Sequence, residues 1–226
     1  MEIGFLVFPR VQQLDLTGPY EVLASLPGAR ARLVGKTLDP VASATGLRLT
    51  PDITFAEAPQ FDIICVPGGD GVNPLLNDEE TLAFLRRQAA GARYVTSVCT
   101  GALLLGAAGL LKGKRATTHW ASHHFLASFG AIPVEARFVS DGNLMTGGGV
   151  TAGIDFGLAL VAEIAGPAAA QAIQLNLEYA PAPPFSAGRP ETAPPEVLAR
   201  ARERSAPGLA ERARQIAVAV ERLAAQ

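Results

Sequence analysis

"YVTSVCTGALLLGAAGLL", residues 94–111, changes character at its middle. Tyr94, Val95, Thr96 and Val98 suit an extended strand, where β-branched and aromatic side chains pack well. From Thr100 onward Gly, Ala and Leu dominate, as in a closely packed helix. Cys99 stands where one becomes the other. A strand running straight into a helix is a unit of α/β architecture. A sharp turn between them lifts the side chain at its apex out of the sheet, as in a nucleophile elbow.

The same alternation extends in both directions. Ile3–Phe8, Ala31–Val34 and Arg93–Val98 read as strands, and "FDIICV", 61–66, is a β-branched apolar run, as expected of a strand covered on both faces. "PGGDG" follows it as a loop. Leu16–Leu26, Asp78–Ala90, Thr100–Leu111, Trp120–Phe129, Thr151–Ala165 and Ala168–Tyr179 read as helices. Leu47–Thr50 belongs to a small hairpin, and Val134–Val139 and Asn143–Thr146 flank the turn signal "SDG". Strands separated by helices require right-handed crossovers, hence a largely parallel sheet with helices on both faces.

After Tyr179 the composition shifts. "APAPPFSAGRPETAPP", 180–195, holds six prolines and should lie extended on the surface. From Glu196 a helix follows. Its Leu209, Ala213, Ile216, Val220 and Leu223 form an apolar stripe, suited to packing on its own domain or to a dimer contact. We expect one α/β domain over 1–179, with the segment 180–226 packed on it.

The chain has 226 residues, 49% of them apolar, and a net charge of −2. It offers no basic face for nucleic acid. No stretch approaches the ~20 apolar residues of a membrane span, and the N-terminus lacks signal-peptide character. A cytoplasmic location is the expectation. Cys65 and Cys99 would stay reduced there. His119 and His123 are four apart, but a zinc site lacks its third ligand.

Sites in a parallel sheet form beyond the carboxyl ends of its strands. Asp15, "PGGDG" and Cys99 all reach that edge. A thiol at a helix start meets unpaired N–H groups, which favour thiolate. The competing reading is a buried, inert cysteine. That reading fits Cys65, between Ile64 and Val66 in mid-strand. Asp15 has its own rival role, as an N-cap before "LTGPYEVL".

"DIICVPGGDG", "VTSVCTGALLLGAAGLLKGKRATTHW" and "DGNLMTGGGVTAGIDFGLALV" resemble the ThiJ/PfpI superfamily, single-domain relatives of class I glutamine amidotransferases. Within it, "FPRVQQLDLTGPYEVLASLP" and "LEYAPAPPFSAG" resemble the branch that hydrates isonitriles. The resemblance implies a flavodoxin-like three-layer sandwich and a homodimer that uses no cofactor or metal. It implies a small-molecule isonitrile as substrate. It makes Cys99 the nucleophile and Asp15 its carboxyl partner, with Thr100 directly after the nucleophile. Gly69 N–H and Thr100 N–H should flank the reacting centre, and His119 should lie near the cysteine. Peptidase-like members carry histidine directly after the nucleophile. Thr100 stands there instead, which removes the proton shuttle of peptide hydrolysis.

Isonitrile hydration needs less. The terminal carbon must gain a proton and a nucleophile, which an acid and a thiol supply, giving a thioimidate that water converts to an N-substituted formamide. The alternative is a non-catalytic ligand or redox sensor, related to ThiJ/PfpI domains of transcription regulators. The 47 residues after Tyr179 cannot hold the paired helix-turn-helix units of those regulators.

Overall fold

The computed structural model describes residues 1–225. The chain runs β1 (Glu2–Leu6), α1 (Gln13–Ala24), β2 (Arg30–Gly35), β3 (Val41–Ala42), β4 (Arg48–Leu49), β5 (Ile53–Thr54), β6 (Ile63–Val66), α2 (Val72–Leu75), α3 (Glu79–Gly91), β7 (Tyr94–Val98) and α4 (Gly101–Ala107). Then come β8 (Arg115–Ala116), a 3₁₀ helix (Trp120–Phe129), β9 (Ile132–Pro133), β10 (Phe138–Asp141), β11 (Leu144–Gly147), α5 (Ala152–Ala165), α6 (Pro167–Asn176) and α7 (Pro195–Ala224).

Seven strands form one sheet in the order β10-β11-β7-β6-β1-β2-β5. All its pairings are parallel except β10 with β11. This is the largely parallel sheet that the alternation of strands and helices implies, in the flavodoxin-like layering that the family resemblance implies. β6 and β1 lie at its centre, and all four β6 residues are buried. That explains the unbroken apolar run: a central parallel strand has no face toward water. Leu82, Phe84 and Leu85 of α3 are buried, as are Leu103, Leu104 and Leu105 of α4. Asp78 caps α3, its Oδ2 accepting from Thr81 N–H at 3.0 Å.

Some boundaries move. The expected helix 100–111 ends at Ala107. The hairpin turn falls at Gly142–Asn143, because Asp141 pairs with Leu144. The helix at 120–129 winds as 3₁₀ throughout, with His119 at its N-cap. β5, β8 and β9 were not foreseen. Each has two residues, too few to show a period.

After the Pro-rich segment, α7 returns across the molecule. Its Ile216 and Ala219 are buried, and Arg222 Nη2 donates to Ala107 O at 2.9 Å. α7 therefore covers the ends of α2, α4 and the 3₁₀ helix. It also closes one side of the sheet's carboxyl edge, where the site lies.

Candidate active site

Cys99 occupies the residue between β7 and α4, and its φ is +55°. A side-chain-bearing residue in the left-handed region costs about 1–2 kcal/mol. Two hydrogen bonds hold it there. Cys99 N–H donates to Gly147 O at 3.0 Å, and Thr118 Oγ1 donates to Cys99 O at 2.6 Å. The first residue of α4 has to be glycine, because a Cβ on Gly101 would lie 2.0 Å from Val66 O. Here is the physical reason for the change of character at residues 99–101. The helix must start against the end of the neighbouring strand.

The turn presents Cys99 to a cavity of ≈ 690 Å³. Thr100, Gly69, His119, Trp120 and Arg212 share its wall. Four of the five residues singled out from the sequence thus meet around one space. The fifth, Asp15, lies behind that wall and is fully buried. Gln12, not Asp15, is the N-cap residue of α1, and it makes no side-chain cap bond. The capping role for Asp15 is therefore wrong. Asp15 Oδ2 instead accepts from Gly68 N–H at 2.9 Å, across 53 residues of sequence. Its Oδ1 is buried with no hydrogen-bond partner among the described residues. A Cβ on Gly68 would sit 2.5 Å from Thr100 N and 2.9 Å from Asp15 Oδ2. That glycine lets the carboxyl, the loop and the elbow come together.

Burial raises the Asp15 pKa to about 7, against the opposing pull of the Gly68 N–H and the Cys99 thiol. Much of it is carboxylic acid at neutral pH. Cys99 departs from the sequence expectation. The Thr100 N–H does favour its thiolate, but burial and the neighbouring Asp15 charge outweigh it, and the pKa goes well above the ordinary value. The resting group is a thiol. α4 is only seven residues long, so little helix dipole opposes this.

Gly69 also differs in detail. Its N–H donates to Thr100 Oγ1 at 3.0 Å and so is not an open donor in this arrangement. The bond ties the "PGGDG" loop to the elbow. Burial, reinforced by Arg212, holds the His119 imidazole below its usual pKa, so it is neutral at pH 7. His119 Nδ1 accepts from Ala121 N–H at 3.4 Å. Among the described residues no group of three or more His, Cys, Asp or Glu side chains is placed to hold a metal ion.

Sequence reasoning missed Arg212. This α7 side chain is buried, with Nε donating to Asn73 Oδ1 at 2.9 Å and Nη1 to Ser122 Oγ at 2.8 Å. The one signal was its place within the apolar stripe, three after Leu209 and four before Ile216.

A cysteine at a strand-to-helix elbow, backed by a buried acid at the carboxyl edge of a parallel sheet, defines a class of site. The DJ-1/PfpI family model matches residues 1–163, and the chain belongs to that family. A curated isonitrile hydratase from Pseudomonas putida is 65% identical over 209 residues, 92% of each chain. The HTH-type transcriptional regulator GbdR of Pseudomonas aeruginosa is 32% identical over 167 residues, 70% of this chain but 45% of its own. The crystal structure of a ThiJ/PfpI family protein from Pseudomonas syringae superposes with a TM-score of 0.93 at 47% identity, covering 95% of this chain and 90% of that one.

Proposed function

We propose that this protein hydrates an isonitrile to an N-substituted formamide, with Cys99 as nucleophile and Asp15 as acid and base. The 65% identity to the Pseudomonas putida enzyme over 92% of both chains supports the reaction class. The observation that carries the mechanism is the desolvated Asp15–Cys99 pair. Its carboxyl pKa of about 7 and high thiol pKa leave two protons on the pair below neutrality.

That protonation suits an isonitrile. Asp15 gives its proton to the terminal carbon of R–N≡C while sulfur attacks the same carbon. The thiol proton passes to the vacated carboxylate, and R–N=CH–S–Cys99 results with Asp15 again protonated. Water then adds to the carbon. Asp15 protonates the nitrogen and takes a proton from the water. Collapse of the adduct breaks the C–S bond, and the hydroxyl proton returns to sulfur. The products are R–NH–CHO and the free thiol. An isonitrile carbon is terminal and carries no substituent. It reaches an acid sunk behind the cavity wall, where a branched carbonyl carbon would be stopped.

Thr100 positions the Gly69 loop through its hydroxyl, and its N–H is within reach of the sulfur. His119, neutral, shapes the wall beside Trp120. The whole chain acts as one unit, with 180–226 laid on the 1–179 domain; the packing of α7 supports this. We further read the protein as a cytoplasmic homodimer acting on a small molecule. Among the described residues no helix is long and apolar enough to cross a membrane.

Incubation with a small alkyl isonitrile, followed by NMR for the formamide, tests the reading. Stoichiometric binding without formamide would favour the ligand-sensor role instead.

A further inference from the structure

Arg212 is more than a tie between α7 and the body of the protein. Its Nε and Nη1 are engaged by the neutral partners Asn73 and Ser122, so neither neutralises it. Its Nη2 has a single acidic neighbour among the described residues, Asp70 Oδ1 at 3.9 Å, beyond hydrogen-bonding distance. Asp70 is itself claimed at shorter range, by Arg10 Nη2 at 3.1 Å from its other oxygen. The Cys99 thiol, being protonated, offers no counter-charge. A cation is thus held with 8% of its side chain exposed, in the wall of the cavity that holds the nucleophile. Burial pulls its pKa down, against a weaker upward pull from Asp70. A second arginine, Arg204, lines the same cavity from an exposed position two helical turns earlier on α7.

We propose that Arg212 is an anion-recognising residue, and that the isonitriles this cavity takes carry a carboxylate on the R group. This rests on the hydration reading above and names its substrate class. The carboxylate accepts from Nη2, Arg204 draws it in at the mouth, and the isonitrile carbon is directed to the opposite end of the substrate, against Cys99. The fixed guanidinium suits this task. Asn73 and Ser122 orient it before the substrate arrives, so little ordering remains to be done on binding. A cavity of ≈ 690 Å³ has room for a substrate that spans both groups.

The test compares 3-isocyanopropanoate with its neutral N-methylamide on the full-length protein. A charge-assisted contact predicts kcat/KM for the acid about tenfold or more above the amide, with the difference mainly in KM. Arg212→Gln should bring that ratio close to one, and Arg212→Lys should restore part of it. Arg204→Gln changes an exposed side chain, so it reads out even if Arg212→Gln fails to fold; it should lower the ratio a few-fold. Equal efficiency on acid and amide in the wild type would overturn the proposal and leave hydration standing. So would an unchanged ratio in Arg212→Gln, which would make the residue structural. If neither compound is hydrated, the hydration reading fails, and alkylation of Cys99 decides the anion site separately. Iodoacetate should then outpace iodoacetamide, relative to a free thiol, in the wild type and lose that advantage in Arg212→Gln. An advantage no greater than that of the free thiol would overturn the proposal.

Discussion

Cys65 lies in β6, in register with Thr96, and Cys99 lies one residue past the end of the neighbouring parallel strand β7. Both are buried, at 0% and 6% exposure, and burial raises both thiol pKa values, that of Cys65 to about 12. Neither burial nor acidity tells them apart. What does is backbone geometry one residue past a strand end. Cys65 lies in regular strand, its side chain packed against Thr96. Cys99 is lifted by a φ of +55° to a cavity and a buried acid. On the proposed mechanism, a thiol need not be acidic to be a nucleophile, because a protonated carboxyl beside it activates the electrophile.

The comparison can be broken most severely at Asp15. Asp15→Asn keeps the shape and the acceptor for Gly68 N–H but loses the acid. We predict a fall in kcat of at least ~100-fold, the scale of general acid catalysis, measured by formamide production. A wild-type rate in this variant would leave Cys99 no better placed than Cys65. The same substitution has a stability signature. The folded pKa of Asp15 lies above its unfolded value, so the native state binds the proton more tightly. Its contribution is fully present below pH 4 and lost as pH rises through about 7. Denaturant titrations from pH 5 to 8 should show the wild type losing stability by about 1 kcal/mol or more, at 1.36 kcal/mol per pKa unit. Asp15→Asn should lack that loss. Activity should follow the same limb, with kcat/KM falling above about pH 7 in the wild type.

A smaller effect is expected at Thr100. Thr100→Val removes the acceptor for Gly69 N–H and loosens the loop from the elbow. The expected rate loss is about tenfold, matching a hydrogen bond worth ~1 kcal/mol or a little more. The variant's rate on an isonitrile, set beside its melting temperature, separates positioning from folding. Smallest of all should be Cys65→Ala. It removes a sulfur from a sealed core and costs roughly 1–2 kcal/mol of stability, while formamide production stays within twofold. A large activity loss there would erase the distinction between the two cysteines.

Much of this was legible in the sequence because it depends on local physics. The central strand β6 shows as the apolar run 63–66, and the elbow as the sudden change to small residues after Cys99. The clash that a Cβ on Gly101 would make with Val66 O is the cause of that change. Asp15 could be picked out but not assigned, since an aspartate near a helix start looks the same whether it caps the helix or turns to Gly68. The thiolate expectation failed because helix position is visible in sequence and burial is not. Arg212 was invisible for a different reason. It reaches the site only because α7 folds back over Asn73 and Ser122, 139 and 90 positions earlier, and its only trace was a charge on an otherwise apolar stripe.

The central claim is that Cys99, and not Cys65, forms a covalent bond to the substrate. Rapid acid quench during turnover, with intact-mass analysis and peptide mapping, tests it directly. The account predicts a species heavier by one isonitrile, with the added mass on the peptide containing Cys99, and neither adduct nor formamide in Cys99→Ala. Normal turnover in Cys99→Ala, or the added mass on the Cys65 peptide, would contradict it.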